Sequence, residues 1–140
     1  TPAATFSGLV TLSYTVRDTN GRTADGLVAI TVTPALPIPL PAAVGDVGSL
    51  LVTLLTGATG NFNVLGNDID PAAGGLTLQS VSFANPLLVT VGSVLNIVGN
   101  QVQLGVPLLG LITGVLPIQY TAVDSLGRTV TGVLNVTISL

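Results

Sequence analysis

The sequence predicts an all-β chain of the sandwich type, in which one complete module follows the last two strands of another. Three observations carry this expectation. Residues 112–140 alternate apolar and polar side chains over two segments joined by a tight polar turn, Asp124–Arg128, the pattern of a β-hairpin with one dry face. Shifting the chain by 106 residues, which puts Tyr14 onto Tyr120, lays Phe6–Thr33 over Ile112–Ser139 without a gap. Between the copies lie short apolar segments separated by Gly, Asn and Pro, with no stretch of helical periodicity.

Nine of the 28 overlaid positions are identical: Gly8/Gly114, Tyr14/Tyr120, Thr15/Thr121, Asp18/Asp124, Gly21/Gly127, Arg22/Arg128, Thr23/Thr129, Gly26/Gly132 and Thr31/Thr137. Nine of the others exchange one aliphatic for another, so the overlay is a repeat. Its length is that of a sandwich module and far above that of a solenoid rung. Residues 1–33 are therefore expected to be the closing hairpin of a preceding, incomplete module. Its inward face is Phe6, Val10, Leu12, Tyr14 and Val16, continued by Val28, Ile30 and Val32. Asp18 and Gly21 belong to turn chemistry, the Asp accepting backbone N–H groups and the Gly taking positive φ.

Residues 34–44 read as an extended linker. PALPIPLP (34–41) places prolines at 34, 37, 39 and 41, which fix φ and remove donors, so neither a helix nor a central strand fits. Leu36, Ile38 and Leu40 share the side opposite the later prolines, which suggests that this side lies against a module. Residues 45–140 form the complete module. Its expected strands are Val47–Thr56, Asn61–Leu65, Leu76–Phe83, Leu87–Val91, Val94–Val98 and Gln101–Val106, then the closing hairpin. Leu51–Leu55 also fits a helical turn. In the hairpin, Ile112, Leu116, Ile118, Tyr120 and Ala122 point inward from one strand, and Val130, Leu134, Val136, Ile138 and Leu140 from the other.

Composition narrows the chemistry. There is no His, Cys, Lys, Glu, Met or Trp, and the charged residues are six Asp and three Arg. General acid–base catalysis draws mostly on His and Glu, and a covalent mechanism needs a base beside its nucleophile. The composition thus points away from an enzyme; an Asp-dependent hydrolase would have to rest on Asp68 and Asp70, a spacing common on strand faces. A net charge of −3 with scattered Arg leaves no nucleic-acid footprint. Without cysteine, neither a disulfide framework nor a thiolate metal site is available, and the redox compartment stays open. The longest apolar run, Leu104–Ile118, is broken by Gly105, Pro107, Gly110, Gly114 and Pro117 and falls short of the ~20 residues of a spanning helix. Five aromatics are too few for barrel girdles, so no membrane insertion is expected. Thr1 opens the chain without a charged n-region or cleavage site, as in a mature, excised or incomplete sequence.

Residues Asn63–Pro71 (NVLGNDIDP), followed by Gly75–Ser82 (GLTLQSVS), resemble the signature of bacterial Ig-like and cadherin-like tandem repeats. The closing YTAVDSLGRT (120–129) and GVLNVT (132–137) resemble the end of the same family's module. The likeness spans 45–140 and the hairpin at 4–33. It implies an Ig-like or cadherin-like antiparallel sandwich, found in the stalks of large surface adhesins and extracellular fibres, at the cell surface. Many such repeats carry Asp-rich linkers and loops that bind calcium. Here the linker is proline-rich and the loop is PAAGG (71–75), leaving Asn67, Asp68 and Asp70 as the candidate ligands. Calcium takes six to eight oxygens, so these three at most begin a site; the plainer reading is that Asp68 and Asp70 satisfy backbone donors. Asn135-Val136-Thr137 is a glycosylation sequon with Asn135 on the outward parity.

A lone hairpin is marginal in water, so the face from Phe6 to Val32 needs a cover. Either a longer repeat array or a neighbouring subunit supplies it, the latter by strand addition that builds a head-to-tail filament. The expected function is a non-catalytic structural module of a surface fibre or adhesin stalk, whose partners are neighbouring modules or identical subunits. The alternative is an adhesin domain that binds glycan or protein through its loops. That would favour exposed aromatics, and the complete module has only Phe62, Phe83 and Tyr120.

Overall fold

The structure, a computed structural model, describes residues 8–33 and 37–140. Phe6 of the expected hairpin face, and Leu36 of the linker, lie outside the described residues. The chain divides into two compact units, Thr1–Pro37 and Ile38–Leu140. Among the described residues every regular element is a strand except one short 3-10 turn, and no helix is long and apolar enough to cross a membrane.

The first unit holds one antiparallel pair, β1 (Gly8–Arg17) and β2 (Thr23–Val32), in unbroken register from Gly8 opposite Val32 to Arg17 opposite Thr23. The second holds β3 (Asp46–Leu51), β4 (Ala58–Phe62), β5 (Thr77–Phe83), β6 (Val94–Val98), β7 (Gln101–Val106), β8 (Gly114–Val123) and β9 (Thr129–Ser139). They make a four-stranded sheet, β3-β9-β8-β5, and a three-stranded sheet, β4-β7-β6. All pairings are antiparallel except β3 with β9, which is parallel.

One hydrophobic core lies between these sheets, an arrangement consistent with a β-sandwich. Val102, Leu104 and Val106 of β7 meet Leu116, Ile118 and Tyr120 of β8 and Leu134, Val136 and Ile138 of β9, with Leu50, Val52, Val64 and Leu78 completing it. The two-residue period of β7, β8 and β9 in the sequence is the period of their burial, with Val115 and Val133 the apolar exceptions left exposed on the outer face. Gly132 lies beneath Tyr120: a Cβ there would overlap the phenol ring. The bare α-carbon is what lets the ring lie flat on the neighbouring strand.

Several boundaries differ from expectation. The strand expected over Val47–Thr56 ends at Leu51, and Thr53 turns back to bridge Gly57. Gly57 has φ +71°, and a Cβ there would stand 2.5 Å from the Val106 carbonyl. The next strand is Ala58–Phe62 rather than Asn61–Leu65, because Val64 must leave the sheet to plug the core. Leu87–Val91 is not a strand. Asn85 caps a 3-10 turn over Pro86–Leu88, its side chain accepting from the Leu87 N–H at 3.1 Å. Ile112 and Leu140, assigned inward, are exposed, since β8 starts only at Gly114 and β9 ends at Ser139. Ile38 and Leu40 are exposed too. The segment is instead held by buried Pro41 and by Ala42, which exchanges two backbone hydrogen bonds with Ile69.

Gly132→Ala is expected to destabilise the 38–140 unit by about 1–3 kcal/mol, the usual cost of overpacking a filled site. Gly26→Ala, beneath the half-exposed Tyr14, is expected to stay within about 0.5 kcal/mol because that ring can swing into solvent. Urea unfolding of the two variants beside the parent chain measures both.

Candidate functional site

The turn at Asp18 and the turn at Asp124 are built alike bond for bond. Asp18 Oδ1 accepts from the N–H groups of Asn20 and Arg22 at 2.9 and 2.8 Å, and Asp124 Oδ1 from those of Leu126 and Arg128 at the same distances. Each Arg Nε donates to the second Asp oxygen at 2.7 Å. Hydrogen bonds from Arg22 hold the Asp18 carboxyl below its ordinary range. At Asp124 burial acts to raise it, and the donors from Arg128 and Leu126 outweigh that and lower it.

What differs is the cover. Tyr14 faces Gly26 across β1–β2 as Tyr120 faces Gly132 across β8–β9. Leu12, Val28 and Ile30 repeat Ile118, Leu134 and Val136 in register. In the second unit these positions are 0–1 % exposed. Leu12, Tyr14, Val16, Val28 and Ile30 are 43–54 % exposed, and Val10 and Val32 are partly buried. A formed hairpin thus presents the same apolar face that the second unit hides.

The phenol of Tyr120 shows what covering requires. Its single proton lies among the Asp68 oxygens at 2.9 and 3.1 Å, Asp46 Oδ2 at 3.2 Å and the Val64 carbonyl at 3.3 Å. Burial, then the Asp68 carboxylate, keeps the phenol protonated far above its ordinary range. Burial also raises the Asp46 carboxyl, helped by the charge on Asp68 and opposed by the Tyr120 hydroxyl. Asp68 Oδ1 also accepts from the Val44 N–H at 2.7 Å, and Asn67 Nδ2 donates to the Val44 carbonyl at 3.4 Å. Arg128 Nη1 donates to the Ile38 carbonyl at 2.6 Å, and its Nη2 is buried without a partner among the described residues. Together these bonds fasten the extended segment 38–46 over the end of the core.

The candidate calcium ligands are therefore engaged elsewhere. Asp70 accepts from the N–H groups of Ala72 and Gly75 at 3.1 and 2.7 Å, closing its own loop, while Asp68 serves Tyr120 and Val44. Among the described residues no three His, Cys, Asp or Glu gather as a metal group. Asn135 is exposed on β9, on the face away from the core. Sequence reasoning missed Asp46 and the reach of Arg128 to Ile38, contacts between residues 74 and 90 positions apart that leave no local pattern.

The far end of the second unit carries no charge. Leu54, Leu55, Leu87, Val91 and Leu109 are exposed on its loops, whereas Asp68, Asp70, Asp124 and Arg128 lie towards the opposite end.

Because the folded Asp46 carboxyl binds its proton more tightly than the unfolded chain does, ionising it costs stability. That cost is absent below the ordinary value of 3.8 and appears as pH rises through the folded value. Asp46→Asn should therefore raise the melting temperature at pH 7, with the gain shrinking towards zero as pH falls to 3.8 in thermal melts across pH. Asp124 has the opposite sign: its contribution is present above 3.8 and is lost as pH falls through its lowered folded value. Calcium addition and chelation should leave the melting temperature unchanged, as read by calorimetry. A scan against protein-family models finds no match to the chain, and a search of curated proteins finds none.

Proposed function

We propose that this chain is a non-catalytic structural repeat of an extracellular surface fibre or adhesin stalk, with an Ig-like or cadherin-like sandwich as its module. The observation that carries the proposal is the β1–β2 hairpin, whose apolar face matches in register the face that β8–β9 buries in the second unit. A surface of that kind is an assembly surface: each fully buried aliphatic is worth roughly 1.5–3 kcal/mol once covered and nothing while bare. The uncharged loops at the far end of the second unit add a second apolar area suited to association.

The mechanism is mechanical. The first and last strands of the second unit, β3 and β9, lie side by side and parallel over Asp46–Leu51 and Leu134–Ser139. The Val52 N–H extends that ladder to the Ser139 carbonyl at 2.8 Å. Tension between Ile38 and Leu140 therefore loads these hydrogen bonds in shear, where they resist together, rather than opening them one by one. The short proline-rich segment before β3 transmits that tension with little slack.

Electron microscopy of the purified, longer repeat protein tests this reading. Continuous fibres or extended beaded stalks are the expected outcome. Compact monodisperse particles that bind specific members of a glycan array would replace it with the loop-binding adhesin reading.

A further inference from the structure

We infer that the open face of β1–β2 seats a β-shell of the chemistry of residues 38–106, and not a second copy of the chain or of the hairpin. This partner assignment rests on the structural-repeat reading and names what completes the hairpin. The chain itself contains the worked case, because residues 38–106 are what cover the equivalent β8–β9 face.

Counting excludes the second copy. Among the described residues each copy carries two hairpins of this type and one set of strands β3–β7, and that set is filled, with its core residues 0–8 % exposed. A second copy therefore has no vacant shell to lend. Two hairpins packed face to face would bury the aliphatic side chains. They would also shut each Tyr14 hydroxyl into an apolar contact without an acceptor, a cost of about 1–3 kcal/mol for each group left unpaired.

The shell meets both polar demands of the hairpin. At the position equivalent to Tyr14 it offers the phenol two carboxylates, Asp46 and Asp68, and a carbonyl, Val64. At the position equivalent to Arg22 it offers the guanidinium the Ile38 carbonyl, on a segment flanked by Pro37 and Pro39. Arg22 already holds the Arg128 pose against its own Asp, yet its side chain is 79 % exposed. Charge does not oppose this: residues 38–106 contain three Asp and no Arg, and the hairpin unit, with Arg17 and Arg22 beside Asp18 and Asp25, is neutral. The partner is thus an all-β, acidic, proline-led shell with a carboxylate pair placed over Tyr14.

The test extends the full 140-residue chain at its N-terminus with a second copy of residues 38–106, so that Thr1 follows Val106 as Pro107 does. The added copy contains no tyrosine, so Tyr14 and Tyr120 remain the only phenols. Tetranitromethane nitration, read by peptide mass spectrometry, reports on each. In the extended protein Tyr14 is expected to react about tenfold more slowly or less, the factor set by how rarely a completed module opens. The protein should remain monomeric by sedimentation. Asp46→Ala with Asp68→Ala in the added copy alone should return part of the Tyr14 reactivity.

Tyr14 reacting as fast as in the parent chain while Tyr120 stays protected overturns the inference, and so does an added copy that stays unfolded beside a folded 38–140 unit. Concentration-dependent protection of Tyr14 in the parent chain also overturns it, by making a second copy the occupant. Protection of Tyr14 in the monomeric extended protein, alongside longer repeat protein that forms no fibres, would remove the fibre reading and keep this partner.

Discussion

A two-stranded antiparallel pair with one apolar face cannot keep that face dry by itself, and the molecule is organised around this constraint. In the second unit the β8–β9 pair is flanked on one side by β3 and on the other by β5, and β7 lies across its face. Each flanking strand closes an edge, and β7 closes the face. The first unit has the same pair, the same turn and the same Tyr-over-Gly contact, with neither edge strands nor a facing sheet among its described residues. The local geometry of the hairpin therefore does not depend on its cover. The burial that stabilises it does.

Two local devices make the hairpin so reproducible. The Asp carboxylate gathers two backbone donors and an Arg Nε, fixing the turn whether it is 39 % exposed in the first unit or fully buried in the second. The glycine opposite each tyrosine leaves room for the ring on the sheet surface. Neither device needs flanking strands or a facing sheet. In the covered copy the devices become attachment points: the Arg reaches a backbone carbonyl of the entering segment, and the phenol reaches two carboxylates from elsewhere in the chain. A turn motif thereby becomes the latch that closes the core of the second unit at its polar end.

The parts legible in the sequence were those where each residue faces one environment along the whole strand. β7, β9 and β8 from Val115 onward alternate in burial, and the limits of all three were read to within two residues. The two-residue gap between the expected strands Val94–Val98 and Gln101–Val106 is the tight Gly99-Asn100 connection that pairs β6 with β7, and both its residues take positive φ, at 55° and 61°. Of the sheet-edge strands, β6 was legible to the residue and β5 to within one, whereas β4 was displaced by three residues, because its sequence ATGNF carries a single large apolar side chain to mark its period. The apolar run at Leu51–Leu55 misled because Leu54 and Leu55 are surface loop residues, 73 % and 91 % exposed, where hydropathy predicts burial. At Leu87–Val91 the capping chemistry of Asn85 and Pro86 overrode an apolar pattern that read as strand.

By itself, the sequence determined the all-β class, the duplicated hairpin, the inward face of each of its strands and the turn chemistry of Asp18 and Asp124. All of these are properties of residues close along the chain, governed by the two-residue period of an extended backbone and the donors of a tight turn. Only the tertiary structure decided which copy of the hairpin is covered, that β3 runs parallel to β9, and that Asp46, Asp68 and Ile38 converge on Tyr120 and Arg128. Those contacts join residues 52 to 90 positions apart. They follow from the packing of the whole core, which brings distant segments to one place and leaves no mark on the order in which those segments are written.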